Sequence, residues 1–187
     1  MHNKKNKAIF FDRDGTLIVD KVYLNDPDSI EYLPGAFEAL KILRDEGFVF
    51  FIVTNQSGVP RGKVSLKNLN EIHRRMRFAF AERGIDFVEF YYAPYMTNHN
   101  HIYRKPNPGM ILQAAQDYKI DLGRSWMVGD RMTDVEAGHR AGVKTILLAE
   151  SKAEIDFEFS PPTAVLSSLN EMARYIVDFS PEKSLHQ

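Results

Sequence analysis

Two carboxylates stand two residues apart at the end of a short apolar run, Ile9-Phe10-Phe11-Asp12-Arg13-Asp14-Gly15-Thr16. A strand alternates its faces, so Asp12 and Asp14 point the same way if the chain stays extended. Gly15 then lets the backbone turn sharply. Paired carboxylates at a strand exit suit a hard cation such as Mg2+. They also allow a division of labour, one as nucleophile and the other as general acid and base. An acidic turn after a buried strand has the same appearance, so the decision rests on partner residues further along.

Three further polar clusters follow. Thr54-Asn55-Gln56-Ser57-Gly58 closes the apolar run Phe48 to Val53 and offers a hydroxyl and backbone N–H groups, donors that suit phosphate oxygens. Arg104-Lys105-Pro106 brings two cations, and a fixed cation beside an anion site neutralises phosphate and nucleophile together. Gly129-Asp130 closes the run Trp126 to Val128, and Asp134 follows by one helical turn. Asp130 is placed to complete a metal site with Asp12. Asp134 either orients the groups around that site or serves as a carboxylate favoured at a helix N-terminus.

The elements between these clusters must bring them to one place. Short apolar runs alternate with helical patterns, which argues for βαβ units and a parallel sheet. Strands are expected at Lys7 to Asp12, Phe48 to Val53, Phe87 to Tyr92, Trp126 to Val128 and Lys144 to Leu148, with a short edge strand at Ala164 to Leu166. Helices are expected from Pro34-Gly35 to Glu46, from Ser65 as N-cap to Arg83, from Pro108 to Lys119, over Thr133 to Ala141 and over Leu169 to Val177. Gly47 and Gly142 stop two of them. Ligands of open α/β sheets bind at the carboxyl ends of the strands, where these clusters fall.

The chain has 187 residues and 44% hydrophobic content, enough for one α/β domain over 1–187 with a core of about 7–178. A net charge of -1 gives no global pull toward nucleic acid or membrane. The one basic stripe, with Arg74, Arg75, Arg77 and Arg83, is diluted by Glu71 and Glu82. No run is long and apolar enough to span a bilayer. The basic lead-in Met1 to Lys7 precedes an apolar run too short for a signal peptide, so a cytoplasmic protein is expected, with a frayed polar tail over Ser180 to Gln187. Cysteine is absent, which excludes disulfides and thiolate metal sites. No coiled-coil heptads are evident, and a monomer is expected.

In their order, the acid pair, hydroxyl, cation and third acid resemble the haloacid dehalogenase superfamily of phosphotransferases. The residues concerned are Asp12-Arg13-Asp14-Gly15-Thr16, Val53-Thr54-Asn55, Lys105 and Gly129-Asp130 with Asp134. The resemblance spans about Lys7 to Leu148. It implies an α/β, Rossmann-like three-layer sandwich with a mainly parallel central sheet. No insert is large enough for a separate cap domain, so the capless form is expected. The longer matches Thr54-Asn55-Gln56-Ser57-Gly58, Arg61-Gly62, Arg104-Lys105-Pro106-Asn107-Pro108-Gly109-Met110 and Val128-Gly129-Asp130 are similar to a capless branch of phosphatases. Its members act on heptose bisphosphates and on histidinol phosphate. Pro34-Gly35 and Arg61-Gly62 lean toward the heptose members.

The resemblance implies a Mg2+-dependent phosphatase working through an aspartyl-phosphate, with a small phosphorylated sugar as its partner and neither nucleic acid nor membrane. A heptose bisphosphate on the way to lipopolysaccharide is the first expectation. Histidinol phosphate or another small ester is the alternative, and a polynucleotide 3′-phosphate a more distant one. By this likeness Asp12 is the nucleophile and Asp14 the general acid and base. Thr54 and Lys105 hold the transferring phosphoryl group, and Arg104 contributes to substrate recognition. Mg2+ is held by Asp12, Asp130 and the Asp14 backbone carbonyl. Arg13, Asp20, Lys21, Val22, Tyr23, Asn55, Gln56, Ser57 and Arg131 shape the substrate pocket, and Arg61 is a candidate for a second phosphate.

One departure stands out. Members of the branch commonly carry a structural zinc loop with a Cys-x-His and a Cys-x-Cys. The matching positions here are Ala93, Tyr95, His101 and Tyr103. One imidazole and two phenols do not make a structural zinc site, so no structural zinc is expected. Packing of Tyr91, Tyr92, Tyr95 and Tyr103 is expected to shape the loop instead.

Overall fold

In the computed structural model of the chain, residues 5–150 and 158–179 are described. The expectations for Met1 to Lys4 and for the tail Ser180 to Gln187 lie outside them. The strands are β1 (Ala8–Phe11), β2 (Val49–Asn55), β3 (Phe87–Ala93), β4 (Trp126–Gly129), β5 (Lys144–Leu148) and β6 (Ala164–Leu166). They form one parallel sheet in the order β3-β2-β1-β4-β5-β6. The helices are α1 (Ala36–Asp45), α2 (Leu66–Ala81), α3 (Gly109–Tyr118), α4 (Met132–Ala141) and α5 (Leu169–Phe179).

The strand period of two sorts the central residues between two cores. Ile9 and Phe11 of β1 face Leu40, Met76 and Ile176 of α1, α2 and α5. Ala8 and Phe10 face the other way, toward Ile111 and Ala137 of α3 and α4. Phe10 stacks on Phe51 with ring centroids 5.2 Å apart. The result is the three-layer α/β sandwich that the alternating pattern implies. Burial of each such phenylalanine contributes about 1.5–3 kcal/mol, so the centre of the sheet is a stiff mount for the polar residues at its carboxyl end.

Strand order reverses at β1. β2 and β3 extend the sheet on one side, and β4, β5 and β6 on the other. A crevice opens at such a switch, beyond the carboxyl ends of the flanking strands. β2 runs past its apolar residues: Thr54 and Asn55 still pair with Tyr92 and Ala93 of β3. Thr54 is therefore a strand residue, with a backbone fixed by the sheet rather than by a loop.

Candidate active site

Asp12 is the first residue beyond β1, and its N–H donates to Val128 O of β4 at 2.9 Å. Its Oδ1 accepts from Lys105 Nζ at 2.7 Å. Lys105 also donates to Val53 O and pairs with Asp134 Oδ1, both at 2.7 Å, so all three ammonium protons are committed. Burial alone would lower the Lys105 pKa, but the charges of Asp12 and Asp134 outweigh it and raise it. Lys105 therefore stays a cation in the protein interior, 3% exposed. Its loop is held by the Asn55 amide, which accepts from Lys105 N and donates to Lys105 O, each at 3.0 Å. Asn55 thus pairs with this backbone as another strand would.

Thr54 Oγ1 accepts from Gln56 Nε2 at 3.0 Å, which leaves its own proton free for an anion in the pocket. The same Gln56 nitrogen lies 3.1 Å from Asp14 Oδ2. Arg13 embraces Asp14 side-on, with Nε to Oδ2 and Nη2 to Oδ1 both at 3.0 Å. Burial raises the Asp14 pKa, in opposition to the Arg13 charge that lowers it. A carboxyl held above its ordinary value beside a second carboxylate is an arrangement suited to acid–base work.

Asp12, Asp130 and Asp134 each offer an oxygen within 4.8 Å of the others, the one such cluster among the described residues. Both Asp134 oxygens are already used, Oδ1 by Lys105 and Oδ2 by the Arg131 N–H at 3.0 Å. Asp134 therefore fills both roles open to it, capping α4 and holding Lys105. Two buried side-chain atoms among the described residues lack a hydrogen-bond partner, Thr16 Oγ1 and Asp130 Oδ1, and the latter belongs to this cluster. Burial, reinforced by Asp12 and Asp134, pushes the Asp130 carboxyl up to about 7. Three carboxylates against the Lys105 ammonium leave two formal negative charges. An all-oxygen donor set with that surplus and an unsatisfied carboxylate oxygen fits a hard divalent cation. Asp12 and Asp130 are the side chains free to hold it.

Two glycines keep the cluster open. Gly15 has φ +76°, and a Cβ there would lie 2.3 Å from Asp130 Oδ2. At Gly129 a Cβ would lie 2.2 Å from Asp134 Oδ2. Either side chain would displace a carboxylate of the cluster.

Above this floor lies a cleft of about 280 Å³, the size of a small-molecule site. Its wall includes Asp12, Asp14, Thr54, Gln56, Ser57, Arg104, Lys105 and Arg131, together with Asp20, Val22 and Tyr23. Asp130 lies outside the wall, at the acid cluster. Of the residues expected to shape the substrate pocket, one is absent from the wall and two line it with their polar groups engaged elsewhere. Lys21 is not on the wall; its ammonium lies 3.5 Å from Glu31 on the surface. Arg13 borders the cleft, but its guanidinium is buried and spent on Asp14 and on His73 Nε2, 3.1 Å away. Asn55 borders it too, with its amide committed to Lys105. Thr97, Met132 and Thr133 line the cleft without a sequence signal that marks them. His73 had such a signal: it shares the buried face of α2 with Leu69, Met76 and Phe80.

The rim is built by loops. Asp20 Oδ1 accepts from Val22 N at 2.7 Å, and Asp20 Oδ2 pairs with Arg131 Nη2 at 2.8 Å across the mouth. On the other side Arg104 Nη1 donates to Tyr95 O at 3.2 Å. The Tyr95 ring stacks on His101 at 3.7 Å and 20°, with Tyr103 beside it at 5.7 Å. Tyr95 and Tyr103 thus shape this loop as expected. Tyr91 and Tyr92 do not; β3 directs them to Phe51 and His73, with centroids 6.5 Å and 5.8 Å away. Arg61 donates to Thr97 Oγ1 at 3.1 Å, at the edge of the cleft. On α2, Arg74 and Arg75 both pair with Glu71, and Arg77 with Glu89. Three of the four arginines of the basic stripe thus have carboxylate partners, while Arg83 donates to Ala79 O and lies over the Phe37 ring.

The family model of the haloacid dehalogenase-like hydrolases matches residues 9–77, and a second, described as HAD-hydrolase-like, matches 102–172. The D-glycero-beta-D-manno-heptose-1,7-bisphosphate 7-phosphatase of Pasteurella multocida is 37% identical over 177 residues, 91% of this chain and 96% of its own. The enzyme of the same name from Escherichia coli K12 is 35% identical, over 92% and 95% of the two chains. Among solved structures, D,D-heptose 1,7-bisphosphate phosphatase from B. bronchiseptica, complexed with magnesium and phosphate, superposes with a TM-score of 0.81. It is 29% identical, with 93% of this chain and 99% of that one covered. The matches span both halves of the sheet and each cluster at the floor of the cleft: the chain belongs to the haloacid dehalogenase-like hydrolases, in the family of the heptose-1,7-bisphosphate 7-phosphatases.

Proposed function

We propose that this chain is a Mg2+-dependent phosphatase that removes the 7-phosphate of D-glycero-D-manno-heptose 1,7-bisphosphate. The observation that carries the reading is the buried contact of Lys105 with Asp12 inside an acid cluster of surplus negative charge. The heptose specificity draws on the relatives, which match along nearly their whole length. One phosphatase domain with a core of about 7–178 carries the activity.

Asp12 attacks phosphorus and becomes the aspartyl-phosphate, and the ester oxygen departs with a proton from Asp14. Asp14 then takes a proton from the water that cleaves the acyl phosphate. Thr54 donates its free hydroxyl proton to a phosphoryl oxygen, and Lys105 offsets the charge brought together at Asp12. Asp12, Asp130 and the Asp14 backbone carbonyl would hold Mg2+, which when bound would lower the electrostatic cost of bringing an anionic ester to a carboxylate. Arg104, Arg131, Asp20, Tyr23 and Ser57 meet the sugar. The reading extends to a cytoplasmic monomer without zinc that serves lipopolysaccharide biosynthesis.

Phosphate release from the heptose bisphosphate with and without Mg2+ tests it, with histidinol phosphate alongside and phosphorus NMR to identify the phosphate removed. Mg2+-dependent loss of the 7-phosphate is expected. Faster turnover of histidinol phosphate, or loss of the 1-phosphate, would overturn the specificity and leave the chemistry in place. Failure on every ester would overturn both.

A further inference from the structure

Arg13 raises a problem that the catalytic scheme does not solve. Its guanidinium is 1% exposed, and a cation so buried needs an acceptor for each group of donors. Asp14 takes two of its N–H groups. A third, on Nη1, points at His73 Nε2 at 3.1 Å. Arginine only donates, so Nε2 is the lone-pair nitrogen and the ring proton sits on Nδ1. His73 comes from α2, 60 residues along the chain. Its ring is wedged against Phe90 and Tyr92 of β3, with centroids 5.1 Å and 5.8 Å away.

We infer that His73 is a positioning residue for the proton donor: it anchors the Arg13 guanidinium, which in turn fixes the direction of the Asp14 carboxyl. The inference rests on the reading of Asp14 as general acid. Neighbours on an extended chain point to opposite faces, so adjacency to Arg13 does not by itself orient Asp14. The side-on fork does so, provided the guanidinium plane cannot rotate. Asp14 and Gln56 hold one side of the arrangement, and His73 is the hold on the far side. Burial, with the charges of Arg13 and Arg77, lowers the His73 pKa to about 3. The ring therefore stays neutral and an acceptor at working pH.

The test compares two esters that differ in their need for a proton. An alkyl phosphate leaves as an alkoxide unless protonated, whereas p-nitrophenolate leaves without help. The ratio kcat/KM reports only the steps up to departure of the leaving group. His73→Leu removes the acceptor. It is expected to lower kcat/KM for the alkyl phosphate by about 10–100-fold, part of the ~10²–10⁴ that a positioned acid supplies. The value for p-nitrophenyl phosphate should fall less than about threefold, since no proton is needed there. His73→Gln, whose amide oxygen can accept from Arg13, should recover most of the loss. If the leucine variant does not fold, His73→Asn, one bond too short to reach, replaces it in the same comparison. An equal loss on both esters, no loss on either, or a glutamine variant as poor as leucine overturns the inference. Asp14→Asn separates the two levels. If it shows the split between esters and His73→Leu does not, the inference alone falls. If Asp14→Asn shows no split, the acid assignment falls and the inference with it.

Discussion

The floor of the cleft and its rim are held by different means. At the floor, Asp12, Thr54, Lys105 and Asp134 are each at most 7% exposed. Asp12, Thr54 and Asp134 sit on strand ends or the first turn of a helix, and Lys105, on a loop pinned by Asn55, ties Asp12 to Asp134. At the rim, Val22 is 77% exposed and Tyr23 38%, and side chains such as Arg131 reach the mouth from the surface. A floor residue cannot move without unpairing a buried charge, which costs several kcal/mol. A rim residue can move at the cost of an exposed contact worth about 0–1 kcal/mol. Under the proposed function, chemistry belongs to the stiff part and substrate choice to the adjustable part, so substitutions in the two should differ in kind as well as size.

The sharpest test of that contrast is Asp12→Asn. It should lower kcat by at least about 10³-fold, as loss of a nucleophile does, while circular dichroism stays unchanged. An active variant would remove the floor from the chemistry. Asp130→Asn comes next. It should weaken Mg2+ binding by titration calorimetry and cost more than the about 10–100-fold seen when only the supports of a metal ligand are lost. Chelation of the wild-type protein should abolish turnover and added Mg2+ restore it. At the rim, Arg104→Ala should raise KM about tenfold with kcat within a factor of three, the signature of binding lost equally from ground and transition states. A fall in kcat as large as that of Asp130→Asn would erase the distinction between the regions. Asp20→Asn breaks the bridge to Arg131 and should change kcat/KM by less than about fivefold, the size of an exposed ion pair.

The same contrast explains what could be read from the chain. Asp12, Thr54 and Asp130 each follow an apolar run, and a parallel sheet sends such runs to a common edge. Lys105 is legible through its Arg-Lys-Pro setting. Lys21 was not, because the loop turns on Val22, a β-branched residue at φ 65° that no propensity anticipates. Which of Asp20 to Tyr23 faces inward depends on that one residue. Asn55 was found but its duty was not. Its partner is the backbone of Lys105, 50 residues on, a pairing that only the folded chain reveals. The loop from Tyr95 to Tyr103 was legible in part. Aromatic packing was foreseen, whereas the Tyr95 carbonyl that holds Arg104 was not.

The distance in sequence between Asp12 and Lys105 has a consequence for biosynthesis. The carboxylate leaves the ribosome 93 residues before the ammonium that neutralises it. At about 5–20 residues per second, that is an interval of roughly 5–20 s. During it β1 has neither Lys105 nor the Val128 carbonyl that receives the Asp12 N–H. The strand destined for the middle of the sheet therefore waits for its second neighbour, and a nascent chain that stops before Asp134 lacks the paired, buried charges of the finished floor. The floor of the cleft thus has all its residues only once α4 has begun, with β5, β6 and α5 still to be made.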